Sequence, residues 1–135
     1  MHGDEPSEEL TGLAFLAVDH GIESIRAGAS LVPFAIVERP DGRDLHRFQG
    51  ETLEECQKRA RDHVRDSEGT MRAAVAWPAK VTLGRRRTDA VLVEAYEEGA
   101  AVSFVFAQCY RRGGRLKKFA TIGEAELAGT ADPLF

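Results

Sequence analysis

The chain has 135 residues, a formal net charge of −4, 43% hydrophobic and 30% charged residues, and two cysteines. That length suits one domain, and the composition is too apolar for a disordered chain. Two cysteines are too few for a disulfide framework, so Cys56 and Cys109 read as free buried thiols in a reducing compartment.

The opening MHGDEPSEE is acidic where a signal peptide needs a basic and then an apolar region. The longest unbroken apolar run, Leu13 to Val18, falls far short of the ~20 residues of a membrane helix. The expectation is a cytoplasmic protein with no membrane partner, forming one globular domain over 1–135 with less ordered termini at 1–6 and 123–135.

From Ser7, Leu10, Leu13, Ala14, Ala17, Val18, Gly21, Ile22 and Ile25 recur at helical spacing and predict a first helix closed by Gly28. Phe15 and Leu16 fall on its flanking faces. Leu31 to Glu38 reads as a strand, Pro40-Asp41-Gly42 as a turn, and Arg43 to Phe48 as a more polar returning strand. Thr52 and Glu55 form a capping box for a second helix ending near Asp66, with Leu53, Cys56, Ala60 and Val64 as its apolar stripe. A meander follows: Met71 to Leu83, Ala90 to Tyr96, Ala101 to Tyr110 and Leu116 to Ile122, with 123–135 a weakly patterned tail. Pro78 cannot donate to a ladder, which places its strand locally at an edge or at a bulge.

The expected fold class is α+β: a two-layer, mainly antiparallel six-stranded sheet with two helices, in the order α-β-β-α-β-β-β-β. The simplest arrangement sets both helices on one face. The central strands are apolar on both faces, however. Val102, Phe104 and Phe106 alternate with Ser103, Val105, Ala107 and Cys109, and Val91, Val93 and Ala95 alternate with Leu92 and Tyr96. Two helices can hardly cover both faces, so a second copy of the chain, the tail or sheet curvature must close the other. The candidate interface residues are Phe15, Leu16, Val91, Val93, Val105, Leu134 and Phe135, the last two as an apolar hook.

Nine of the 18 Lys and Arg residues fall in two windows, Lys80–Arg87 and Arg111–Lys118. Both sit at turns that a meander brings to one end of the sheet, opposite Glu97-Glu98. Arg85, Arg86, Arg87, Arg111, Arg112 and Arg115 are therefore the candidate anion-binding residues, since guanidinium groups fork onto phosphates and carboxylates.

The sequence offers no catalytic set. Asp19 and His20 are helix neighbours and do not face each other. Cys56 and His63 share a helix face without the tight ligand pairs of a zinc site, and no phosphate-binding glycine loop occurs. The expectation is no metal, no cofactor and no catalytic residue. The leading reading is a non-enzymatic binding or adaptor protein that self-associates as a homodimer through an apolar sheet face. The alternative is an anion- or nucleic-acid-binding regulator using the arginine pole, and the third is a small enzyme with an unrecognised pocket.

Overall fold

A computed structural model describes residues 5–113, 115 and 118–135. Gly114, Leu116 and Lys117 of the second basic window, and residues 1–4, lie outside them. Two helices and six strands follow in the order α1 (Glu8–Arg26), β1 (Phe34–Arg39), β2 (Gly42–Arg47), α2 (Leu53–Asp66), β3 (Arg72–Leu83), β4 (Arg86–Glu97), β5 (Ser103–Arg111) and β6 (Ala120–Ala131). The sheet is antiparallel throughout, with spatial order β2-β1-β3-β4-β5-β6. The α+β class and the element order agree with the sequence reading.

Local chemistry starts each helix. Ser7 caps α1 by accepting from Leu10 N at 3.1 Å, and Thr52 caps α2 by accepting from Glu55 N at 3.0 Å. The Glu55 carboxylate reaches back one residue further than a standard capping box, accepting from Glu51 N at 3.1 Å. Cys56, Ala60 and Val64 are buried as the stripe requires, whereas Leu53, at the first turn, is exposed.

The helices lie on opposite faces of the sheet, not on one. Beneath α1 lie Phe34 and Ile36 of β1, Ala74 and Ala76 of β3, Val91, Val93 and Ala95 of β4, and Phe104 and Phe106 of β5. The alternate residues Ala35, Val37, Ala73, Val75 and Tyr96 pack instead with Ala60 and Val64 of α2 and with Leu134. Each strand of the centre therefore buries both of its faces, which is why the sequence lacks clean polar alternation there.

Pro78 sits where β3 is locally an edge. The ladder to β1 ends at Ala76, and beyond it β3 pairs with β4 alone. Missing one donor there leaves no ladder bond unmade.

β6 is the largest departure from expectation. It starts at Ala120 and continues over 123–131, residues that the sequence suggests are a weakly patterned tail. Its register against β5 shifts twice, and Gly123 supplies the left-handed backbone (φ 69°) at one irregularity. The buried Gln108 side chain steadies that point, its amide donating to the carbonyls of Gly123 at 3.1 Å and Cys109 at 2.9 Å.

Candidate functional site

Because α2 packs mainly over β1 and β3 and reaches β4 only toward Glu94 and Tyr96, the far half of its face of the sheet has no helix over it. An open trough of about 620 Å³ remains there, lined by Val81 and Leu83 of β3, Leu92 of β4, Val105, Ala107 and Cys109 of β5, and Ile122 and Leu127 of β6. Leu83, Leu127 and Ile122 are 50%, 46% and 40% exposed, unusual values for large apolar side chains gathered on one surface. Arg61 of α2, stacked over the Trp77 ring at 5.3 Å, stands where the covered half ends.

Directly behind that boundary lies a polar network that sequence reasoning missed. Glu94, 2% exposed in the middle of β4, pairs with Arg61 and accepts from Ser103 Oγ at 2.6 Å. Ser103 Oγ also lies 2.9 Å from the Asp132 carbonyl, so one hydroxyl hydrogen is shared between two acceptors. The network ties α2, β4, β5 and the segment after β6 to one point. Its signal was legible: a lone glutamate inside Ala90–Tyr96 demands a buried cation.

The seven candidate interface residues do not form one surface. Val105 lines the trough. Val91 and Val93 are fully buried beneath α1, so they belong to the core and not to an exposed face. The reason is that sequence alternation separates the two faces of β4 without saying which one the first helix covers. Phe15 and Leu16 are exposed on α1, on the opposite side of the sheet from the trough, with Phe15 edge-on to Phe106 at 5.8 Å. Leu134 is buried in the cluster under α2, and Phe135 packs edge-on against Tyr96 at 4.8 Å. Those two act as the expected hook, but on the chain's own sheet.

The arginine turns do meet at one end of the sheet. Arg85 lies in the β3–β4 turn, and Arg111 and Arg112 lie at the end of β5, where Arg112 Nε is 3.2 Å from Asp89 near the start of β4. At the opposite end charges are neutralised: Arg72 bonds Glu38 at 2.6 Å and Glu97 at 2.8 Å, and Arg43 bonds Glu38 at 2.7 Å. Burial pushes the Glu38 carboxyl up, but the two guanidinium groups outweigh it and hold it below the usual range.

Strand alternation, however, splits the six candidate arginines between two faces. Arg86 is the register partner of Leu83, and Arg111 lies two residues beyond Cys109, so both stand at the end of the trough. Arg87 and Arg112 fall on the α1 side, while Arg85 and Arg115 are exposed in the connections. Among the described residues, Arg85, Arg86, Arg87, Arg111 and Arg115 have no carboxylate within ion-pair distance. Along the trough's other side β6 exposes Glu124 and Glu126.

The nucleophile that the trough contains is a poor one. Burial, with Glu126 beside it, pushes the Cys109 thiol above its ordinary value and keeps it protonated. Cys56 is buried on the inner face of α2, and the His63 ring is tilted against those of His46 at 4.5 Å and Phe48 at 5.3 Å. Among the described residues no three metal-binding side chains converge, and no helix is long and apolar enough to cross a membrane. No family model, curated protein or solved structure matches the chain.

Proposed function

We propose that the protein is a non-enzymatic binding or adaptor protein that self-associates through the open half of its sheet. The observation that carries this reading is the trough itself, an apolar surface lined by Leu83, Leu92, Val105 and Leu127 that neither helix covers. Its rim carries both signs of charge, Arg86 and Arg111 at one end and Glu124 and Glu126 along β6. A mixed rim is self-complementary, since a two-fold rotation can set one copy's arginines toward the other's glutamates. Association by the face is favoured over pairing of β6 edges, because the bulges and glutamates of β6 discourage strand addition.

Light scattering at micromolar concentration tests this. The expected mass is twice 14.8 kDa, with Leu127→Asp returning the protein to 14.8 kDa. A monomeric native protein, or a dimer indifferent to Leu127→Asp, contradicts the reading.

A further inference from the structure

The α1 side of the arginine pole is a second surface, independent of the trough. There the end of α1 descends onto the β5–β6 connection and leaves a cleft of about 240 Å³ lined by Ile25, Arg26, Arg112, Gly113 and Phe119, among others. Its two guanidinium groups are held in place. Arg26 lies over the Phe119 ring, 4.9 Å from its centroid, and Arg112 is 3.2 Å from Asp89 and 6.0 Å from the Tyr110 centroid. Phe119 in turn stacks on the buried Tyr110 at 5.7 Å. Gly113 keeps the cleft narrow, because a Cβ there would come within 3.1 Å of Phe119 N. No side chain fits at that position without moving the backbone opposite.

We propose that this side of the pole binds the phosphate backbone of a nucleic acid, with one phosphate in the cleft between Arg26 and Arg112. The neighbouring phosphates fall along Lys80 and Arg87, which strand alternation places on the same side. These cations come from α1 and from the ends of three adjacent strands, each about 4.8 Å from the next, so a lone phosphate cannot reach them all. A chain of phosphates can. Two carboxylates stand among these four cations, Asp89 shared between Lys80 and Arg112 at 2.9 and 3.2 Å and Glu23 3.4 Å from Arg26, so the side keeps a net positive charge for a phosphate to meet. A lipid surface fits less well. Among the described residues at the cleft, the apolar groups are buried (Ile25, Tyr110) or half-buried under a guanidinium (Phe119), and the exposed Phe15 and Leu16 lie about three turns back along α1, so none of these stands at the cleft to insert among acyl chains. Contacts of this kind read backbone and not base, so binding is sequence-independent and salt-sensitive.

Fluorescence anisotropy of a labelled oligodeoxythymidylate, titrated with the full chain across a salt series, tests the proposal. Affinity is expected to fall with salt with a log–log slope of about −0.7 for each phosphate engaged. The exposed-site variant Arg26→Ala/Arg87→Ala/Arg112→Ala is expected to bind roughly tenfold or more weakly and with a shallower slope. Lys58→Ala/Arg65→Ala, exposed on α2 across the sheet from the cleft, should bind nearly as the native protein does. Arg87→Glu alone should weaken binding in the same direction, which guards against a triple variant that fails to fold. Salt-insensitive or absent binding overturns the proposal, as does an equal loss in the two multiple variants. Tighter capture on phosphatidylserine vesicles than on the oligonucleotide also overturns it, in favour of a membrane surface.

Discussion

At His63 a single side chain reports on how α2 is seated. The imidazole packs between His46 of β2 and Phe48, and burial lowers its basicity, helped by the His46 and Arg39 charges against the pull of Asp44 and Asp66. His20, edge-on to Phe34 and 2.8 Å from Arg47, is lowered for the same kind of reason. A histidine whose folded-state pKa lies below its unfolded value is held neutral by the fold. The unfolded chain then takes up the proton first as pH falls below about 6.5, and stability is lost in that window. Urea midpoints measured across it should decline for the native protein and decline less for His63→Phe, which keeps the packing and removes the titration. Equal declines would show that His63 is not seated as described.

The elements differ in how much of them the sequence revealed, and the differences have physical causes. α2 was legible at both ends and, Leu53 apart, along its stripe, because capping and periodicity are local. The alternation in β4 and β5 was legible too, which is why their two apolar faces were separated correctly. Which face each helix covers was not legible, since an amphipathic stripe says that a helix packs without saying where. Val91 and Val93 were misplaced for that reason, and the two-layer arrangement with them. β6 escaped because Gly123, Glu124, Glu126 and Gly129 give it no apolar face of its own; it is a strand by pairing with β5.

The Glu94 network shows what holds the elements to each other. Arg61→Met removes the cation but keeps much of the stem's volume, leaving a 2% exposed glutamate with Ser103 alone. Because the Arg61 side chain is 33% exposed, losing it costs less than breaking a fully buried pair, about 1–3 kcal/mol. Urea denaturation should show that loss, and a further Glu94→Gln change should recover part of it by removing the stranded charge. A fully stable Arg61→Met protein would mean that the pair is not what anchors α2 to the sheet.

At the scale of the whole molecule, the asymmetry of cover is the organising fact. One face of the sheet is closed by α1, and the other is closed over half its width by α2, Leu134 and Phe135. What remains is a trough with charged rims at one end and one side, while the α1 side of the same pole presents a separate basic cleft. The arginines that look like one cluster in the chain thus serve two surfaces. Sequence located the pole because a meander fixes which turns share an end, but strand parity decided the split. The aromatic pair Tyr110–Phe119 joined the arginines only through the fold, across a connection that local patterning does not resolve.

Self-association through the trough can be read at the trough itself, since Cys109 lines it while Cys56 is buried on the inner face of α2. Alkylation of Cys109, followed by mass spectrometry over a range of protein concentrations, reports directly on whether that face is covered. Cys109 is expected to label fastest in dilute solution and to slow as concentration rises, while Cys56 stays slow throughout. A Cys109 rate independent of concentration across the micromolar range would contradict self-association through that face.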